Sequence, residues 1–148
     1  ASNPQIAKIM ANIQSHATSN PNSIAQVAAE AALNGGEEEI EKMRLEFLKR
    51  RDYMVEKMNS IDGISCKMPN GAFYVMMNIK DIKGKTLYGR KIETSDDFCE
   101  LLLEKGKVAL VPGSGFEADD YIRWSYAASM DKIVKGLERL EKFVKEEY

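Results

Sequence analysis

The sequence holds one histidine, His16, and two cysteines, Cys66 and Cys99, in 148 residues. A single imidazole argues against a zinc centre and against a Ser-His-Asp triad, so no metal is expected. The cysteines stand in unrelated segments without metal-ligand spacing. They read as buried free thiols of a reducing, cytoplasmic compartment. No apolar run approaches the ~20 residues of a membrane helix, and the start shows no secretory signal pattern. Charge of one sign is not in excess: the formal net charge is -2 with signs mixed along the chain. That argues against nucleic acid or an anionic membrane as a main partner. No internal repeat or low-complexity tract appears. The chain opens on Ala1 rather than Met, which leads us to expect a processed protein, a fragment or a segment cut at a chosen boundary. What is present, 44% hydrophobic and 30% charged residues, is ordinary for one soluble globular domain.

Asn3-Pro4 opens a helix, with Ile6, Ile9, Met10 and Ile13 as its apolar stripe, expected to fade near Gln14-Ser15. The polar run from His16 to Ser23 reads as a loop: a solvated linker, or a set of hydroxyls and amides able to touch an anion. Ser23 and Gln26 have capping-box spacing for an Ala-rich helix, expected to be buried, which Asn34-Gly35-Gly36 breaks. Glu37 to about Asn59 is a long helix with Ile40, Met43, Phe47, Met54 and Met58 on its stripe. Its basic run Lys49-Arg50-Arg51 reads as a solvated face.

The period then changes to two. Ile64 to Met68 is a strand, Pro69-Asn70-Gly71 a hairpin turn, and Ala72 to Ile79 a mostly apolar, central strand. Asp81 to Lys91 is a charged connection, expected to be the least ordered part. Thr94-Ser95-Asp96-Asp97 caps a helix around Phe98, Leu101 and Leu102 that Gly106 ends. Val108 to Val111 is a strand. Ser129 caps a last helix carrying Ile133, Leu137, Leu140 and Val144. This order predicts an α/β two-layer sandwich, a mostly antiparallel or mixed sheet of about four strands with helices on one face. The first two helices have apolar faces with no evident partner in that sandwich, and the chain is expected to self-associate through them.

The candidate functional stretch is Tyr121 to Ala127, with the loop Pro112-Gly113-Ser114-Gly115-Phe116 before it. Ile122, Trp124 and Tyr126 share one face; Tyr121, Arg123 and Ser125 share the other. A guanidinium cannot be deprotonated and offers a fork of donors to a carboxylate or phosphate. Arg123 is therefore either an edge-strand residue paired with a nearby Glu or Asp, or an anion-binding residue on a rigid strand.

Four stretches in this order resemble a known family. They are Asn12-Ile13-Gln14-Ser15-His16-Ala17-Thr18-Ser19-Asn20-Pro21 with Ala25-Gln26; Gly71-Ala72-Phe73-Tyr74-Val75; Val111-Pro112-Gly113-Ser114-Gly115-Phe116; and Ile122-Arg123-Trp124-Ser125-Tyr126-Ala127. Together they resemble the C-terminal part of a class I, fold-type I pyridoxal phosphate aminotransferase of the aspartate aminotransferase group. The resemblance covers essentially the whole chain. It implies the small domain of that fold, with residues 1–22 a remnant of the large domain and loop, 23–59 connecting helices and 60–148 the sandwich.

The resemblance also implies roles. Arg123 looks like the arginine that grips the substrate α-carboxylate, with Phe116 closing the pocket wall near it. Ser15, His16, Thr18 and Ser19 resemble a segment running near the partner's active site in a homodimer. The implied cofactor is pyridoxal 5'-phosphate and the implied substrates are an amino acid and a 2-oxo acid. No lysine here matches the family's Ser-x-x-Lys or Ser-Lys anchor; Lys85 stands in a different context, Gly84-Lys85-Thr86. No catalytic residue is thus expected in this chain, and the isolated chain should not transaminate. A carbon–sulfur lyase or an aminocyclopropane carboxylate synthase would use the same arginine, and a stand-alone anion-binding module is the reading from another class.

Overall fold

The computed structural model describes residues 3–148, in two compact units, Ala1–Lys42 and Met43–Tyr148. The first holds α1 (Pro4–Ala17), α2 (Ser23–Asn34) and the start of α3 (Glu37–Asn59). Asn3 caps α1, its side-chain oxygen accepting from the Gln5 N–H at 2.9 Å, and Pro4 follows at the first position, where its missing N–H is no loss. The helix continues through His16 and Ala17, past the expected fade at Gln14-Ser15. No helix breaker intervenes before Asn20-Pro21, so the Thr18 N–H still reaches the Gln14 carbonyl at 3.0 Å.

Two further expectations for this unit need correction. The cap of α2 is Asn22, not Ser23: its side chain accepts from Ile24 N–H at 2.8 Å and Ala25 N–H at 3.4 Å. Gln26 donates to the Pro21 carbonyl instead of completing a capping box. The Ala-rich helix is exposed along its length rather than buried. Alanine forms helix without needing a tertiary partner, so its abundance marks propensity here and not a core. Ile6, Ile9, Met10 and Ile13 form the expected stripe and are likewise exposed.

In the second unit, four short strands form one antiparallel sheet in the order β1-β2-β6-β5. They are β1 (Ser65–Cys66), β2 (Tyr74–Asn78), β5 (Val111–Pro112) and β6 (Tyr121–Ser125). Val75 pairs with Trp124 and Met77 with Ile122 on the buried face. Against that face lie Met54, Val55 and Met58 of α3, Phe98 and Leu102 of α4 (Ser95–Gly106), and Ile133, Leu137, Leu140 and Phe143 of α5 (Met130–Val144). Each such side chain contributes about 1.5–3 kcal/mol on burial. Phe98 and Phe143 meet edge to face at 5.2 Å. The capping box of α4 is complete: Thr94 and Asp97 satisfy each other's backbone N–H groups. Ser129 stands at the cap of α5, but only its carbonyl is used, by Ile133 N–H at 3.1 Å.

The strands are shorter than their sequence patterns, because pairing ends where the partner ends. Val108 to Leu110 stays outside the ladder, and β5 is Val111–Pro112 at the sheet edge, where proline's lack of an N–H is tolerated. Asn70-Gly71 does not make a two-residue turn. The connection from β1 to β2 runs over residues 67–73, and its positive φ falls on Ala72, at 65°. The two-residue turn is elsewhere, in the connection expected to be disordered. There β3 (Thr86–Leu87) and β4 (Arg90–Lys91) pair around Tyr88-Gly89, with φ of 48° and 77°. Buried Ile82, Leu87 and Ile92 anchor this hairpin in the core. Nor is the basic run merely solvated. Arg50 donates to the Ala128 carbonyl at 2.8 Å and Arg51 to the Pro69 carbonyl at 3.1 Å, tying both loops to α3.

Candidate functional site

Arg123 lies on β6, an internal strand between β2 and β5, which rules out the edge-strand reading. Register places Met76 beside it on one side and Val111 on the other, all on the face opposite the core. Its guanidinium carbon sits 4.8 Å from the Phe116 ring centroid and 5.4 Å from that of Tyr74. Among the described residues no carboxylate pairs with it and no carbonyl accepts from it. Every other feature of the strand explains how it is held: Ile122, Trp124 and Tyr126 are buried, so the strand cannot roll, and the alternation turns Arg123 outward. Two ring faces order the side chain, each worth about 0.5–1 kcal/mol at an exposed site, without using up its N–H donors. The result is a half-buried cation with donors free to meet a planar anion.

Tyr74 is positioned by the strand pairing and by the bonds around Phe73. The Phe73 carbonyl accepts from Tyr126 N–H at 2.8 Å and from the Ser125 hydroxyl at 3.2 Å. The Tyr126 hydroxyl donates to the Ala72 carbonyl at 2.6 Å. Phe73 also packs on Phe47 at 4.8 Å. Phe116 ends a short 3₁₀ turn, Gly113–Phe116. That turn is bonded to the start of α4: the Ser114 N–H donates to the Ser95 hydroxyl oxygen at 3.1 Å. Ser95 in turn gives its N–H and its O–H to one oxygen of Asp119, each at 2.8 Å. The other Asp119 oxygen takes a Lys83 ammonium bond at 2.7 Å.

These donors, Lys83 first and then Ser95, hold the Asp119 carboxyl down at about 2. Glu141 is held to about 2 by Lys145 and Lys57. A carboxyl whose folded value lies below its unfolded value stabilises the fold above that unfolded value and stops doing so as pH falls toward the folded one. The thermal midpoint should therefore drop as pH falls from about 4.5 to about 2. Asp119→Asn should flatten part of that drop in a pH series of melting curves. Parallel curves for the two proteins would remove Asp119 from the acid response.

Phe116 and Arg123, singled out in the sequence, are thus brought together. Ser15, His16, Thr18 and Ser19 belong to the first unit. Ser15 and His16 lie in the last turn of α1, not in a loop. Thr18 caps that helix, its hydroxyl bonded with Gln14, and Ser19, at φ 61°, donates to the Ser15 carbonyl at 3.4 Å. These hydroxyls satisfy the helix's terminal carbonyls. Tyr74, Ser95 and Asp119 were given no role at the site by the sequence. Tyr74 was visible in principle, two residues from Arg123's cross-strand partner; Ser95 and Asp119, 24 residues apart, gave no local signal.

The family model for aminotransferase class I and II matches residues 1–140. The chain belongs to this aminotransferase family. A curated aspartate aminotransferase from Rhizobium meliloti (strain 1021) is 44% identical over 137 residues, covering 92% of this chain and 33% of the relative. A crystal structure of the aspartate aminotransferase from Rhizobium meliloti superposes with a TM-score of 0.91 at 40% identity, over 96% of this chain and 36% of that one. The Thermus thermophilus aspartate aminotransferase solved with maleate gives 0.77 at 32% identity, over 94% and 34%. This aminotransferase chain therefore spans about a third of the length of its relatives. Its four-stranded antiparallel sheet with packed helices is the two-layer α/β architecture of fold-type I neighbours.

Proposed function

We propose that this chain is the C-terminal part of a pyridoxal phosphate-dependent aminotransferase of the aspartate aminotransferase type, and that Arg123 binds the α-carboxylate of its amino acid and 2-oxo acid substrates. The observation that carries the reading is a guanidinium ordered by Phe116 and Tyr74, on an internal strand, with no carboxylate of its own among the described residues. A planar fork suits a planar carboxylate, and each charged hydrogen bond is worth about 1.5–3 kcal/mol. Phe116 forms the adjoining wall. The maleate bound by the Thermus thermophilus relative is itself a carboxylate ligand, which supports the anion reading.

The neighbours of Arg123 are Met76, Val111, Tyr74 and Phe116, and none offers an amine to hold the cofactor. Among the described residues Lys57, Lys83, Lys91 and Lys145 are paired with carboxylates. No lysine of this chain stands in a Ser-x-x-Lys or Ser-Lys context followed by Gly-x-Arg, so in this reading the cofactor anchor belongs to protein outside this chain. When bound, pyridoxal phosphate supplies the electron sink for amino transfer. This chain's share is to bind and orient the substrate carboxylate and so fix the bond that is exposed to reaction. In the same reading residues 1–22 are a remnant of the large domain, 23–59 connecting helices, and the Ser15–Ser19 segment lies near the partner's active site of a cytoplasmic homodimer.

Absorbance titration of this chain with pyridoxal phosphate, followed by borohydride reduction and mass spectrometry, should find no stoichiometric adduct. One reduced adduct on a single lysine, with an absorbance band that responds to added amino acid, would overturn this division of labour.

A further inference from the structure

We propose that Ser95 and Asp119 are positioning residues for the Arg123 site, acting through the turn that carries Phe116. The inference rests on the carboxylate-binding reading of Arg123. The path is continuous. Lys83 holds Asp119, Asp119 takes both donors of Ser95, and the Ser95 hydroxyl oxygen takes the N–H of Ser114. Ser114 lies two residues before Phe116, whose ring meets the guanidinium at 4.8 Å. Ser95 is wholly buried, so its hydroxyl has no water to turn to and its geometry is set by Asp119. The far end is fixed as well: Lys83 also reaches Asp120 at 3.0 Å, and the Asp120 carbonyl accepts from Ile79 N–H at 2.9 Å at the end of β2. The network thus references the loop to the same sheet that carries Arg123. One face of the guanidinium's surroundings is set by strand pairing, through Tyr74; the other is set by this hydrogen-bonded relay.

The relay differs from ordinary loop stabilisation in a way that can be measured. If Ser95 acts through Phe116, its removal changes nothing once Phe116 is gone. Two readouts separate the relay from the substrate reading. In this chain, the Arg123 Nε–H resonance should carry a ring-current shift from Phe116, whose ring centroid lies 4.8 Å from the guanidinium carbon. Ser95→Ala and Asp119→Asn should each shift it in the direction that Phe116→Ala does, and Ser95→Ala combined with Phe116→Ala should match Phe116→Ala alone. In the full-length protein carrying this chain, Ser95→Ala should raise KM for the amino acid about tenfold with kcat changed less, short of the roughly hundredfold that a misplaced group can cost.

An unmoved Arg123 resonance in both variants, or an effect of Ser95→Ala that adds in full to that of Phe116→Ala, would overturn the proposal. Asp119→Asn keeps the test decisive should Ser95→Ala fail to fold. If Arg123→Ala leaves KM unchanged, the carboxylate reading falls, and the resonance alone judges whether the relay positions Arg123.

Discussion

Arg123→Ala in the full-length protein should lower kcat/KM for the amino acid by roughly 10²–10³-fold, as expected when a hydrogen-bonded charge pair worth about 3–4 kcal/mol loses one partner. The cofactor's absorbance should stay in place, since the arginine is placed on the substrate and not on the cofactor. Arg123→Lys should recover part of the loss. It keeps the charge but not the fork, so about one hydrogen bond is missing and the deficit is roughly tenfold. Stability offers an internal control. Among the described residues the Arg123 side chain makes no hydrogen bond or ion pair, only contacts to Phe116 and Tyr74. Losing two ring contacts of about 0.5–1 kcal/mol each should lower the melting temperature by only a few degrees. Steady-state kinetics beside a melting curve therefore separates the roles. A large fall in stability with unchanged kcat/KM would make Arg123 a structural residue and remove it from the substrate site.

Much of the architecture was legible because it is written in local patterns. The alternation around Arg123 placed Ile122, Trp124 and Tyr126 in the core and the arginine outside it. The run Thr94-Ser95-Asp96-Asp97 marked a helix start, and the structure has a capping box there between Thr94 and Asp97. What sequence reasoning missed depends on contacts distant along the chain. Whether Asn70-Gly71 or Tyr88-Gly89 makes the tight turn is decided by where the strands pair, and Tyr88 accepts a positive φ because Leu87 and Ile92 on either side are locked in the core. Likewise, three adjacent basic residues look alike until α3 is docked. Only then do Arg50 and Arg51 find backbone carbonyls at Ala128 and Pro69. The candidate site divides along the same line. Arg123 announced itself as a charge in an apolar strand, whereas the Ser95–Asp119 relay exists only after α4 and the Gly113–Phe116 turn meet.

Gly113→Ala should be the most damaging small substitution in the second unit. A Cβ at this position would stand 2.1 Å from the Ala118 carbonyl oxygen and 2.2 Å from that of Tyr121. Both are backbone atoms, so neither can swing aside as a side-chain tip could. Ala118 is held by its own N–H bond to the Gly113 carbonyl at 3.0 Å, and its carbonyl takes the Tyr121 N–H at 2.9 Å. Tyr121 is locked in register against Asn78 on β2. To admit one methyl group, the turn must move away from β6 and break those bonds. Overpacking of this kind costs about 3 kcal/mol or more, a fall of roughly 6–12 °C in melting temperature. The displaced turn carries Phe116, so the ring should leave Arg123 as well, and the variant should show weakened substrate binding in addition to its lower stability. Gly115→Ala is the matched comparison. It lies in the same turn, but nothing stands within 4 Å of its added Cβ. It should melt within about 1 °C of the parent, as an unhindered surface substitution does. Equal melting temperatures for the two variants would mean that the turn at Gly113 is looser than its packing indicates. Phe116 would then lack the rigid support on which the Arg123 site depends.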